Sequence, residues 1–559
     1  MSSAAHPRGH WISCAGRPLL AWLSAPEGRG CESGVLILAP IGYPYWSSHR
    51  TLRVLAERLA GDGHLALRLD YDGTGDSAGD QWDPDRVAAW RISARAAVEE
   101  LGRLGCRRIV LVGVRVGATF ALLDGARLGA DAVVAWAPVV AGRRYVREIR
   151  LISTAVPESG LPSGAGEAVV SAGTVFTAQT LAALAELDVM KISAPPGARI
   201  LLLDEAPHAE LAEHLRGLGS EVQERALPGG QSALESPTEY ATVPEEIVQA
   251  IGAWVGPGAP GDGKLPAAPV SAFMRSGEET LSEQVLELGP DRLVGILTEP
   301  RPVRPDAATI VFLNSGSEPH IGPGRAWVEY ARELAAIGHR CLRVDFRGWG
   351  ESPDDGLAPG RPYDPHCEQD TVAIVRALGA LGYERIVLVG LCASAWIALQ
   401  AVKRQPAAGV IALNPQLYWR VGDPVEATMQ ETRTRRTAER ERERRGGRYR
   451  LWSILDAIGH RPAAARWLDQ LAAARTPLVL VFAEGDDGIE YLRNRLSRRL
   501  RLVQRSGGVR VLEIPEVDHS MHRVWLRPVL VRALREQVDL LVAAGGDSAP
   551  LEREPAVIQ

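Results

Sequence analysis

The chain has 559 residues, 46% of them hydrophobic and 23% charged, and 68 acidic against 63 basic side chains give a net charge of −5 at pH 7. That length allows two domains with full hydrophobic cores, and the mixed charge leaves no overall footprint for a nucleic acid or an anionic membrane surface. No apolar run reaches transmembrane length, Met1–His10 lacks the apolar stretch of a signal peptide, and the six cysteines (14, 31, 106, 341, 367 and 392) have neither disulfide nor metal-ligand spacing; a cytoplasmic protein with reduced thiols and neither metal nor cofactor is expected.

In chain order, Ile37-Leu38-Ala39-Pro40 ends an apolar strand, and Arg50 opens a helix expected over Leu52 to Leu59. Arg68-Leu69-Asp70 ends a second strand, and Gly73-Thr74-Gly75-Asp76-Ser77 makes the turn after it. The run Ile109-Val110-Leu111-Val112-Gly113 then leads into Val114-Arg115-Val116-Gly117, a strand bending sharply into a helix with arginine at the apex. Ile200-Leu201-Leu202-Leu203 is a further buried strand, followed by Asp204. The first domain is expected over 1–255, and 256–271, rich in proline and glycine without periodicity, reads as a linker.

The second domain, expected over 272–545 with a flexible tail at 546–559, repeats these landmarks. Val311-Phe312-Leu313-Asn314, Arg325 with its helix Trp327 to Leu334, Arg343-Val344-Asp345, Gly348-Trp349-Gly350-Glu351-Ser352 and Ile386-Val387-Leu388-Val389-Gly390 follow their counterparts at offsets of 274 to 277. A nearly constant offset over so many landmarks indicates duplication of a whole domain.

The copies part company at the apex. Here it reads Gly390-Leu391-Cys392-Ala393-Ser394, with a thiol where the first copy has a guanidinium. Small residues two positions either side permit the strained backbone of a nucleophile elbow. Downstream, Pro477–Phe482 is a buried strand ending in Ala483-Glu484-Gly485-Asp486-Asp487, and Val511-Leu512-Glu513-Ile514-Pro515 leads to Glu516-Val517-Asp518-His519. Nucleophile, acid and histidine thus fall in the chain order of a triad, with Asp486 favoured over Asp487 as the acid. In the first copy, arginine has no usable lone pair, and the late segment reads Gly229-Gly230-Gln231-Ser232, so Asp204 is expected to have no imidazole to orient. Arg115 is expected either to pair with Asp70, Asp72 or Asp204 or to bind an anion.

On these residues the chain resembles the α/β-hydrolase superfamily, twice over. The resemblance implies an α/β fold class, with two tandem domains, each a mostly parallel, doubly wound sheet, the second carrying a helical cap around 414–471. The first half resembles the degenerate hydrolase-like proteins associated with exosortase systems, which also carry a GxRxG elbow, and reads as a pseudo-hydrolase. The second resembles cysteine-nucleophile hydrolases and acyltransferases. For it the resemblance implies catalytic Cys392, His519 and Asp486, with an oxyanion hole from the N–H of Ala393 and that of Gly316 or Ser315. His320, in the same early loop, is expected either to reach the mouth of the site or to pack at the loop end while Arg325 pairs with Asp345.

A thiolate at the apex suits acyl transfer, because exchanging one thioester for another is nearly isoenergetic. Within the cap, Glu431–Arg450 holds nine arginines and four glutamates. Either it is a solvated helix laced with i,i+4 pairs, or Arg435, Arg436, Arg444 and Arg445 dock an acidic acyl or peptidyl carrier protein. Tyr418 and Trp419 nearby are candidates to line an acyl pocket or to be core. Three functions follow: acyl transfer or thioester cleavage on carrier-protein or coenzyme A thioesters, in a biosynthetic pathway; hydrolysis of a small ester or lactone, as in dienelactone hydrolase; or non-enzymatic binding by two decayed copies.

Overall fold

The computed structural model describes residues 7–546 apart from 27–29, 155–160, 162–165, 262–264, 267–268, 355, 358–361, 418–475, 491, 494–499, 501–503 and 505–507. Two compact units make up the chain. One comprises Met1–Arg275, Ser282–Val285 and His522–Trp525, the other Ser276–Leu281, Leu286–Met521 and Leu526–Gln559.

The first unit contains β1 (Arg8–Cys14), β2 (Arg17–Ser24), β3 (Ser33–Leu38), β4 (Leu65–Leu69), β5 (Arg108–Val114), β6 (Ala132–Trp136), the small ribbon β7 (Val169–Ser171) and β8 (Thr174–Phe176), β9 (Arg199–Asp204) and β10 (Glu221–Ala226). Its main sheet runs β1-β2-β4-β3-β5-β6-β9-β10. β2 is antiparallel to β1 and β4, and the rest pair in parallel. The second sheet is built from β11 (Ser271–Ser276), β12 (Glu279–Leu288), β13 (Leu293–Pro300), β14 (Thr309–Phe312), β15 (Arg340–Val344), β16 (Ile386–Leu391), β17 (Gly409–Leu413), β18 (Leu478–Ala483) and β19 (Val509–Ile514). Its order is β11-β12-β13-β15-β14-β16-β17-β18-β19, so from β12 onward it repeats the first sheet strand for strand.

Helices on both faces explain why the central strands read as unbroken apolar runs. Every residue of β16 is buried. Alternate side chains serve opposite faces: Val387, Val389 and Leu391 join a core with Trp327, Leu534 and Leu541, whereas Ile386 and Leu388 meet Ile374, Val375 and Leu399 on the other side. Each fully buried aliphatic contributes about 1.5–3 kcal/mol of transfer free energy. This two-sided packing fixes the carboxyl ends of β16, β17 and β18, from which the site is built.

Two sequence expectations change. The helix expected over Leu52 to Leu59 runs from Tyr43 to Gly61, with Pro44 in its first turn, where a missing N–H costs nothing because that turn has no intrahelical acceptors. The proline and glycine stretch after Val255 is also tied down: Gly258 N–H donates to Asp62 O (2.8 Å), Glu32 N–H to Ala259 O (3.0 Å) and Gly261 N–H to Gly30 O (2.8 Å). Among the described residues, no helix is long and apolar enough to cross a membrane.

Candidate active site

β16 ends at Leu391 and the helix Ala393–Ala401 begins two residues later, leaving Cys392 between them with φ 58° and ψ −108°. A side chain rarely adopts positive φ, and such strain persists only where the surroundings over-determine it. They do so here. Cys392 N–H donates to Leu413 O of β17 (2.9 Å), and Ser394 Oγ accepts from Leu391 N–H (3.0 Å). Gly390 has no alternative, since a Cβ there would lie 2.5 Å from the carbonyl carbon of Ser394. Cys392 is half-buried, unlike the other five cysteines, all buried.

The loop after β18 presents Asp486, whose side chain is only 5% exposed. Its Oδ1 accepts from Gly488 N–H (2.7 Å), and its Oδ2 accepts from His519 Nδ1–H (2.6 Å). Of the two aspartates in this loop, it is Asp486 that holds the imidazole. His519 Nε2 is buried and lacks a partner of hydrogen-bonding geometry, yet the thiol acts on the ring. Burial opposes charging the imidazole, but the hydrogen bond to Asp486 and the interaction with Cys392 outweigh it, and the pKa is pushed up to about 10. Catalytic hydrogen bonds often align fully only with substrate.

Asn414, noticed in the sequence only as the start of the cap, joins the acid and histidine loops. Its Nδ2 donates to His519 O (2.9 Å) and its Oδ1 accepts from Ala483 N–H (2.7 Å). Sequence reasoning also missed Tyr363, whose hydroxyl lies 3.9 Å from Cys392 Sγ and donates to Gln416 Oε1 (2.8 Å). No motif marks either residue; the nearest signal a sequence could give is the Asp364-Pro365 helix start beside Tyr363.

Ala393 is the first residue of its helix, where an amide has no intrahelical acceptor. Ser315 and Gly316 follow β14 in a turn closed by Glu318 N–H on Ser315 O (2.9 Å), with Gly316 at φ 56°. His320 does not reach the mouth of the site. It is 2% exposed, with Nδ1–H on Asp345 Oδ2 (2.6 Å) and its backbone N–H on Asp345 Oδ1 (2.7 Å). His320, where the sequence suggests Arg325, supplies the hydrogen-bond donors that this buried carboxylate needs, and it braces the loop. Tyr418, Trp419, Arg435, Arg436, Arg444 and Arg445 lie outside the described residues, as does most of the cap, and so does the tail from 547.

The first unit keeps the elbow, with arginine at its apex. Arg115 has φ 55° and ψ −120°, and its N–H donates to Trp136 O (3.0 Å) as Cys392 does to Leu413. Its guanidinium pairs with Glu148, not with Asp70, Asp72 or Asp204, and sits over the Tyr145 ring (5.9 Å). The expected partners are otherwise engaged: Asp70 accepts from Tyr45 (2.8 Å), and Asp72 from Arg86 (2.6 Å). Asp204 does hold an imidazole, contrary to expectation, but it belongs to His208, four residues on (2.8 Å). That local pair holds the Asp204 carboxyl low despite burial, which opposes the shift.

Residues 310–556 match a sequence model described as the Alpha/beta hydrolase family. None of the curated proteins matches the chain. Among solved structures, Est1E from Butyrivibrio proteoclasticus with ferulic acid bound is similar at 18% identity over 44% of this chain and 97% of that one, with a TM-score of 0.33. An esterase of Pyrococcus furiosus, PF2001, is similar at 16% over 44% and 90%, with a TM-score of 0.34. Dienelactone hydrolase from Anabaena variabilis is similar at 12% over 48% and 97%, with a TM-score of 0.31. Over residues 310–556 the chain is therefore similar to the Alpha/beta hydrolase family.

Proposed function

We propose that this protein is an enzyme that catalyses acyl transfer or thioester cleavage through a covalent acyl-enzyme on Cys392, with coenzyme A or carrier-protein thioesters as substrates. The observation that carries the reading is His519, bound to Asp486 on one side (2.6 Å) and with its pKa pushed up to about 10 in part by Cys392. An imidazole so disposed takes the thiol proton, and the sulfur becomes the attacking nucleophile. The thiolate attacks the acyl carbonyl, and Ala393 N–H with Gly316 or Ser315 N–H receives the developing oxyanion. Collapse breaks the bond to the departing thiolate, which takes the proton from His519. The acyl group on sulfur then passes to an acceptor whose proton His519 removes, or to water. Because the first exchange is thioester for thioester, transfer is favoured over loss to water.

Incubation with a panel of acyl thioesters should give an adduct in intact-mass spectra of the parent and none with Cys392→Ala; equal labelling of both overturns the assignment. The carrier-protein part rests on the arginine-rich segment 431–450. Transfer from a carrier-bound thioester should weaken as salt shortens screening from about 10 Å at 0.1 M to about 3 Å at 1 M, while a small free thioester stays nearly indifferent. Equal salt response would leave the small-ester hydrolase as the better account.

A further inference from the structure

Tyr363 is held in a way that packing alone does not explain. It is an aromatic residue at φ 68°, 7% exposed, and strain of this kind gathers where function requires a fixed side chain. Its ring stands edge-on to Trp396 of the elbow helix (5.9 Å, 74°). Its backbone is set by the next residue, Asp364, which caps the helix Pro365–Ala380 through His366 N–H (3.1 Å). These constraints put its hydroxyl between two groups, the Cys392 sulfur at 3.9 Å and Gln416 Oε1 at 2.8 Å.

A phenolic hydroxyl has one proton and two lone pairs. While that proton is on Gln416, what Tyr363 offers sulfur is a lone pair, which suits a thiol S–H and does not suit a thiolate. When the thiol proton passes to His519, the favourable arrangement reverses: the O–H turns from Gln416 to the anionic sulfur, and no covalent bond of Tyr363 is made or broken. After acylation the sulfur is neutral and the O–H returns to Gln416.

We propose that Tyr363 is a catalytic residue of the Cys392 site, donating a hydrogen bond to the thiolate in competition with Gln416. The proposal rests on Cys392 being the nucleophile, but its test needs no acyl substrate. Alkylation by iodoacetamide, followed by mass mapping of Cys392 in the full chain, reads thiolate availability directly. Tyr363→Phe keeps the ring against Trp396 and should lower the alkylation rate at pH 7 about tenfold, as expected for a lost bond to a charged group, with the rate–pH profile displaced toward higher pH. Gln416→Leu removes the competing acceptor and should change the rate in the opposite direction. A residue that merely packs would slow alkylation in both variants or in neither. An unchanged Tyr363→Phe rate, or shifts of the same sign in both variants at unchanged thermal midpoint, overturns the proposal. Opposite shifts without any acyl adduct on the parent would sustain Tyr363 and sink the acyl-transfer reading.

Discussion

The two elbows share a backbone and differ in what stands on it. Arg115 and Cys392 have φ within a few degrees of each other, 55° and 58°, and each apex N–H donates to the strand beside it. Around Cys392 the neighbouring loops converge, with Asp486 and His519 brought together and Asn414 tying their backbones. Around Arg115 the equivalent surroundings are spent on packing: Glu148 and Tyr145 from one helix cover the guanidinium, and Asp204 is satisfied by its own neighbour His208. The strained apex is therefore a property of the strand-turn-helix architecture, and reactivity is a property of the side chains that meet there.

The largest effect should come from His519. His519→Ala should cut acylation of Cys392 by about 10²–10⁴-fold, the usual span for losing a general base, whereas Arg115→Ala should leave the rate unchanged. Comparable losses from both, at unchanged folding, would mean that the halves share one site and that the contrast between elbows is misdrawn.

Next comes Asp486→Asn, which tests what raises the imidazole pKa. Removing the carboxylate takes away a favourable partner of the charged ring, so the His519 pKa should fall from about 10 by about one to three units, as followed by NMR titration. The sign carries to stability. A raised folded-state pKa contributes stability that is full below the ordinary value of 6.5 and is lost as pH climbs through about 10. The stability gap between parent and variant should accordingly narrow between those two pH values; a gap that widens there would show that the pair is not held as a charged one.

Gly390→Ala and Gly113→Ala examine the shared backbone. A Cβ at Gly113 would come 2.4 Å from Ala118 Cα, much as one at Gly390 would meet Ser394. Both are contacts with backbone that cannot step aside, so each substitution should cost about 1–3 kcal/mol in denaturant unfolding. If Gly113→Ala were neutral, the first elbow would be free to relax and the common strain argument would fail.

These contrasts also show what a sequence can carry. β16 and β18 were legible because a strand buried on both faces must be apolar throughout, and Gly390 and Ser394 flank Cys392 because the turn leaves no room for more. Asp486 and His519 were legible because chain order in this fold is restrictive. The partner of Arg115 was not, since Glu148 reaches it from a helix 33 residues on and any of several acids satisfied the same rule. The two alternatives for His320 stayed open for a related reason: polarity in an early loop fits exposure as well as packing, and only the fold shows that Asp345 is fully buried with His320 as a donor beside it. Tyr363 and Asn414 are joined to the site by hydrogen bonds set by three-dimensional approach, which leaves no periodicity or spacing to read.

The smallest effect concerns the ion pair at the first apex, Arg115 with Glu148. Arg115 stands at the start of the helix Val116–Leu128, where unsatisfied N–H groups already make a positive field, so its charge is unfavourable there unless a carboxylate offsets it. Glu148 does so while remaining 36% exposed, and solvent therefore weakens the attraction. Glu148→Gln should cost about 1 kcal/mol or less by denaturant unfolding. Arg115→Ala in the Glu148→Gln background should cost less than Arg115→Ala alone, because the guanidinium removed there is one that nothing compensates. A double-mutant cycle with no coupling would show that Tyr145 and packing hold the arginine. The first elbow would then owe nothing to the charge that distinguishes it from the second.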